Sequence, residues 1–301
     1  MSEKQYVIEA KELCRKYGRY VALDKLDFAV DGPTILGMVG KNGAGKSTLM
    51  RLLCGMEKPS SGSITVNGIT PYDHGKILRD IIFIDEKIDF DFMLSIGAVM
   101  EKCAFMDDRF DIDYARATAE RFGLPLKKRL SQLSKGMKSQ FGIVLGLAFN
   151  RPVTVMDEPI SGLDEGSRRL FYSLLIKAQS DNPRMFLIST HLLGEFEQYA
   201  DSFMVINKGK LAACDKRETF ETLFVRVSGA AEHVANVIGD LETYEEKSLA
   251  GVKSVTVPST NGMQGIAASA IIGAVGGDAT RRLEVLTAVT EEDIAIAHKL
   301  A

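Results

Sequence analysis

Gly40-Lys41-Asn42-Gly43-Ala44-Gly45-Lys46-Ser47 is the stretch on which the reading of this 301-residue chain turns. It fits the pattern G-x-x-x-x-G-K-[ST], and its neighbours suit that pattern. A β-branched, apolar run, Thr34–Val39, leads into it, and a stretch of helical periodicity, Lys46–Cys54, leads out and stops at Gly55. Glycines in such a loop let backbone N–H groups converge on phosphate oxygens without Cβ interference. The amino end of the following helix adds about half a positive charge. Asn42, Gly43, Ala44, Gly45, Lys46, Ser47 and Thr48 are therefore the expected phosphate-binding residues of a nucleoside triphosphate site. Lys46 is expected to bridge the β- and γ-phosphates, and the Ser47 hydroxyl to bind Mg²⁺.

Further along, Val153-Thr154-Val155-Met156-Asp157-Glu158 reads as an apolar strand ending in two acids. Adjacent residues at a strand end point in different directions, so the two carboxylates can do separate jobs. Asp157 is expected to reach the Mg²⁺ shell and Glu158 to face an attacking water.

Around these two anchors the chain alternates strand and helix signals. Tyr6–Glu12 and Leu26–Val30 read as paired strands with a turn between them, followed by a strand at Ser61–Asn67 and a short one at Ile81–Ile84. From about Phe90 to Gly123 the pattern is helical, with Ala115, Ala119 and Phe122 on one face, and a second helix is expected over Gly136–Phe149. Helix Gly166–Gln179, strand Met185–Ser189, short helix Leu192–Tyr199 and strand Phe203–Asn207 complete the alternation. Such alternation predicts a largely parallel sheet covered on both faces. After about residue 215 the motifs stop, but strand-like Leu223–Val227 and Ser254–Val257, a helical Ala231–Leu241 and a capping box at Thr290 and Asp293 predict a small α/β appendage.

Composition narrows the classes. Lys plus Arg is 37 against 40 Asp plus Glu, so no general basic excess exists to hold a polyanion, and nucleic-acid binding is not expected. The four cysteines form no metal-ligand spacing and suit a reducing compartment. The polar start of the sequence lacks a secretory pattern, and the apolar runs fall short of the roughly 18–20 residues that cross a bilayer. A soluble, cytoplasmic chain is expected.

Three further elements select a family. Leu133-Ser134-Lys135-Gly136-Met137 precedes a helix ahead of the acidic strand, Ser161-Gly162-Leu163-Asp164 follows it, and Ser189-Thr190-His191 ends the next strand. In order and spacing, residues 5–215 resemble the ATP-binding subunit of an ATP-binding cassette (ABC) transporter, most of all the antibiotic and multidrug export type. The resemblance implies an α/β P-loop core with an antiparallel β subdomain and a helical subdomain at about 88–150. It places the ATPase domain at 1–215 and an accessory domain at 216–301.

It also implies a Mg-dependent ATPase that works as a head-to-tail homodimer, with Ser134 and Gly136 of one copy meeting the γ-phosphate held by the other. His191 would hold the attacking water with Glu158, Asp164 would couple the two sites, and Tyr17 would stack on adenine, with Tyr20 as its rival. The partner implied is an integral membrane permease, which would keep the chain at the cytoplasmic face. The segment of about 90–130 and the loop at Asp85–Lys87 would receive it; Phe90, Phe92 and Met93 are candidate contacts or simply core residues.

Two departures from the family pattern stand out. Lys135 and Met137 replace a glycine and the glutamine of the usual LSGGQ signature. Where the family places a glutamine near the metal, this sequence reads Asp85-Glu86, making Glu86 the expected occupant. The alternative reading is a soluble cassette ATPase in cofactor assembly or another non-transport process. The tail is expected to serve dimerisation or regulation.

Overall fold

The computed structural model describes residues 6–85, 92–190, 193–218, 224–230, 234, 245–249 and 252–258. The chain divides into two compact units, Met1–Cys214 and Asp215–Ala301. The first begins with β1 Val7–Tyr17, β2 Tyr20–Asp31, β3 Thr34–Val39, α1 Lys46–Leu53, β4 Ser61–Val66, α2 Gly75–Leu78 and β5 Ile81–Ile84. Three helices follow, α3 Ile96–Met106, α4 Ile112–Arg121 and α5 Lys135–Ala148. It continues with β6 Val153–Met156, α6 Glu165–Asp181, β7 Met185–Ser189, α7 Leu193–Phe196, β8 Ser202–Asn207 and β9 Lys210–Lys216.

Six of these strands form one sheet in the order β5-β6-β7-β3-β8-β9. The pairings β5 with β6, β6 with β7, β7 with β3 and β3 with β8 are all parallel. Every residue of β3, β6 and β7 is buried, which explains why their sequences are continuous apolar runs rather than alternating ones. A second, antiparallel sheet has the order β2-β1-β4. Its first two strands run longer than the alternation predicts. Register shifts between Ala10 and Leu13, with left-handed Glu12 and Lys25, re-aim the side chains where the pattern breaks. Leu13, Leu23 and Leu26 therefore still reach the core, against α1 and the parallel sheet.

The expected helical stretch is two helices because Asp107–Asp111 interrupts it. The Asp111 carboxylate caps α4 by accepting from the Tyr114 N–H at 2.8 Å, as Ser95 caps α3 by accepting from Ala98 at 3.2 Å. With α5 these helices close a core of their own around Met100, Ala115, Ala119 and Phe141.

In the second unit β10 Phe224–Ala230, β11 Glu245–Leu249 and β12 Val252–Pro258 form an antiparallel sheet in the order β10-β12-β11. Strands were expected at the first and last of these. The charged edge strand β11 was not, since Glu245-Glu246-Lys247-Ser248 reads like a loop. The expected helix over 231–241, Val234 apart, and the capping box at Thr290 and Asp293 lie outside the described residues.

The helical hairpin is fastened to the start of the parallel strands by an ion network. Arg109, between α3 and α4, pairs with Asp80 just before β5 at 3.0 Å and with Asp107 at 3.7 Å. Asp107 also pairs with Arg151 just before β6, and both arginines donate to the Arg79 carbonyl. The Tyr6 hydroxyl donates to Asp80 at 2.9 Å, and burial together with that carboxylate pushes the phenol up to about 12. Asp107 and Arg151 are nearly buried, with side chains 11% and 12% exposed. Removing one charge strands the other, so Asp107→Ala is expected to lower stability by about 3 kcal/mol in urea unfolding. Glu101→Ala, in an exposed pair with Arg116, should cost under about 0.5 kcal/mol.

Candidate functional site

Because β3, β7 and β6 are parallel neighbours, the chain leaves β3 and β6 on the same edge of the sheet, where ligands of open α/β sheets bind. There a cavity of about 290 Å³ is lined by Tyr20, Asn42, Gly43, Ala44, Gly45, Lys46, Ser47, Thr48, Asp157 and Glu158. The loop and the two acids, far apart in sequence, thus share one space.

The loop's shape has a steric cause. Gly45 sits at φ 114°, and a Cβ there would lie 2.7 Å from the Ala22 carbonyl oxygen, so only glycine fits. It opens α1, whose first paired amide is that of Leu49, bonded to the Gly45 carbonyl at 2.9 Å. The amides of Lys46, Ser47 and Thr48 precede it and carry the positive end of the helix to the cavity. Lys46 is 6% exposed, and its ammonium donates to the carbonyls of Gly40 at 2.6 Å and Lys41 at 3.5 Å. Glu158 Oε1 stands 3.9 Å away. Burial lowers the Lys46 pKa, while the charges of Glu158 and Asp157 pull it back up.

The acids are held from behind. The Asp157 N–H donates to Ile84 at 2.8 Å, continuing the β5–β6 ladder past the strand. Glu158 adopts the left-handed conformation at φ 50°, and its N–H donates to Ser189 Oγ at 2.8 Å. That same hydroxyl donates to Asp157 Oδ1 at 2.6 Å. Ser189 entered the sequence reading only as a marker of the strand end. Its signal was a polar residue closing an otherwise apolar strand.

The remaining expected residues lie on other surfaces. Exposed Ser134 caps α5, accepting from the Met137 N–H at 3.2 Å. Gly136 packs so tightly on the loop after Glu158 that a Cβ would come within 2.8 Å of the Gly162 carbonyl oxygen. Nearby, Ser139 donates to the Ser161 carbonyl at 2.9 Å and Gln140 to Ser167 Oγ at 2.9 Å. Asp164 caps α6, accepting from the Ser167 N–H at 2.7 Å, which holds its carboxyl below the ordinary range. Ser134, Gly136 and Asp164 are not among the residues lining the cavity.

Tyr17, 40% exposed, is not among them either; its hydroxyl donates to Glu57, and Arg15 stacks over its ring at 4.6 Å. Tyr20 does line the cavity, with its hydroxyl 3.2 Å from the Gly43 carbonyl. Glu86 and His191 lie outside the described residues.

A glycine loop opening a helix, a buried lysine and a strand-end acid pair in one cavity define a P-loop nucleoside triphosphatase. A family model described as "ABC transporter" matches residues 23–161. The bacitracin transport ATP-binding protein BcrA of Bacillus licheniformis is 35% identical over 215 residues, covering 68% of this chain and 68% of that protein. The ABC transporter ATP-binding protein YtrB of Bacillus subtilis is 23% identical over 231 residues, covering 77% and 79%. A solved ATP-binding subunit of an ABC transporter superposes with a TM-score of 0.64 at 26% identity, over 71% of this chain and 93% of that one. The chain belongs to the ABC transporter ATP-binding family, whose members bind and hydrolyse ATP. Among the described residues no helix is long and apolar enough to cross a membrane.

The packing of Gly136 against Gly162 is directly testable. Gly136→Ala forces the loop off the start of α5 and is expected to cost about 1–3 kcal/mol in a thermal or urea melt. An unchanged melt would contradict the close contact.

Proposed function

We propose that this chain is the Mg-dependent ATPase subunit of an export system, closing as a head-to-tail pair on two ATP molecules and driving a separate membrane permease. The observation that carries the reading is the single cavity uniting Lys46, the unpaired first amides of α1, Asp157 and Glu158. Lys46 would transfer its ammonium from the Gly40 carbonyl to the β- and γ-phosphates. Ser47 and Asp157 suit the Mg²⁺ that accompanies the nucleotide. Both offer hard oxygen donors on the cavity, and Mg²⁺ needs only one or two protein ligands beside phosphate and water. Bound there, the ion would neutralise developing phosphate charge. Glu158 would take the proton of the attacking water, with His191 holding that water and Glu86 near the metal.

The head-to-tail pair is supported by what the cavity lacks. Ser134 and Gly136 stand at the exposed amino end of α5, an anion-binding terminus away from the chain's own phosphate loop. A second copy would bring that terminus to the γ-phosphate, and Asp164 would couple the two sites. Tyr17 would offer adenine one face of a ring whose other face Arg15 covers; Tyr20, on the cavity itself, remains the competing platform. Phe92 and Met93, 59% and 61% exposed, support a permease contact ahead of α3, and the name of BcrA supports antibiotic export. The domain from about residue 216 would add a dimerisation or regulatory element.

In Glu158→Gln, hydrolysis is expected to fall by about 10³-fold, equivalent to ~4 kcal/mol of barrier. Mg-ATP should then hold the protein as a dimer in light scattering; persistent monomers would count against the paired mechanism. Co-purification with an integral membrane protein is the result expected for transport, and a wholly soluble pool without one would favour cofactor assembly.

The lowered Lys46 pKa gives a pH dependence. Bound triphosphate favours the charged ammonium, so ATP binding above the depressed free-state pKa must take up a proton. Affinity should therefore fall as pH rises through that value, sooner than for an ordinary lysine. Isothermal titration at several pH values should show this slope in the parent protein and lose it in a weakly binding Lys46→Met variant.

A further inference from the structure

We propose that Ser189 is a positioning residue that sets both acids of the site at once, an inference that rests on the roles given above to Asp157 and Glu158. A serine hydroxyl has one proton to give and two lone pairs. Here the proton is committed to Asp157 Oδ1 at 2.6 Å, and a lone pair accepts the Glu158 N–H at 2.8 Å. The first distance is that of a charge-assisted O–H···O⁻ bond. Ser189 is 0% exposed, so no solvent competes for either bond.

Each bond has a separate consequence. With Oδ1 engaged, the Asp157 carboxylate is held in one orientation and Oδ2 is its less committed oxygen. Among the described residues that oxygen has no hydrogen-bond partner. The hydroxyl thereby biases which carboxylate oxygen a metal would meet. The second bond holds a backbone that does not favour its own conformation. A non-glycine residue at φ 50° is strained and persists only where its surroundings over-determine it. Glu158 is held on both sides, its N–H by Ser189 Oγ and its carbonyl by the Ser161 N–H at 3.0 Å. Releasing the N–H would let the peptide relax and swing the Glu158 side chain away from the cavity. One oxygen on β7 therefore fixes the metal-facing and water-facing carboxylates relative to each other. Among the described residues its hydroxyl bonds only to the acids and not to the phosphate loop, so nucleotide affinity should hardly depend on it.

The test compares Ser189→Ala, Ser189→Thr and Ser189→Cys. The readouts are the ATP dissociation constant, kcat, and the Mg²⁺ concentration giving half-maximal rate. In Ser189→Ala, ATP affinity should stay within about threefold. kcat should fall about 30-fold, which is ~2 kcal/mol at 1.36 kcal/mol per tenfold, and the Mg²⁺ requirement should rise at least about fivefold. Ser189→Thr keeps the hydroxyl and should recover most of both, with Ser189→Cys in between. If the alanine variant does not fold, the cysteine variant carries the same readouts. Unchanged kcat and Mg²⁺ dependence would overturn the proposal. So would a loss shared by ATP affinity and not rescued by threonine, which marks a purely structural role. Glu158→Gln and Asp157→Asn measured alongside separate the two levels. If they hydrolyse ATP at the parent rate, the reading of the acids fails. If they are inactive while Ser189→Ala is unaffected, only the role of Ser189 fails.

Discussion

A lysine ammonium is buried at the heart of this protein with less than its full complement of partners. Lys46 keeps 6% of its surface and leans on two carbonyl oxygens and a carboxylate 3.9 Å away. Removing such a charge from water is costly unless anions or well-placed dipoles replace the hydration. The fold supplies part of that replacement and leaves the rest open. It brings the end of β6, two strands away in the sheet, alongside the glycine loop, so that two carboxylates share the lysine's cavity. It also leaves the site short of neutralisation by hydrogen bonds alone, which is the electrostatic condition for gripping a polyphosphate. The tight Gly45 turn and the fully buried strands β3 and β6 all serve to hold that arrangement.

The acids in turn connect this pocket to a distant face of the molecule. Glu158 is followed within a few residues by Ser161 and Gly162, which carry the start of α5 through the Ser139 bond and the glycine-to-glycine contact. Arg168 adds a tie from the same region, donating to the Leu163 carbonyl at 2.9 Å and pairing with Glu195 beyond β7 at 2.9 Å. Packed atoms thus run without a break from the backbone at Glu158 to the start of α5.

Much of this was readable from sequence where the chemistry is local. The phosphate loop and the acid pair are short contiguous patterns, and the buried strands announce themselves as unbroken apolar runs. The structure gathers the loop and the acids into one cavity. What could not be read depends on contacts between distant segments. Ser189 is a small polar residue at the end of a strand, and only the adjacency of β7 and β6 shows that its hydroxyl reaches Asp157. The lengths of β1 and β2 depend on bulges that break the alternation. The edge strand β11 is too charged to stand out from a loop, because an edge gains from charge what a buried strand would lose. Tyr17 and Tyr20 flank one hairpin turn, and sequence spacing cannot say which ring borders the cavity.

The ion network around Asp80, Asp107, Arg109 and Arg151 sits at the starts of β5 and β6, the end of the sheet opposite the cavity. The carboxyl end of α5 is fastened in the same region, where the Ala148 carbonyl accepts from the Asp111 N–H at 2.9 Å. The helical hairpin is thus anchored at the base. From there α5 runs about 20 Å, at 1.5 Å per residue, to the loop after Glu158, where Gly136 and Ser139 pin its start. The helix is therefore tied at both ends, to the strand starts at one and to the loop after the acids at the other, and spans the subunit as a strut rather than a loose spar.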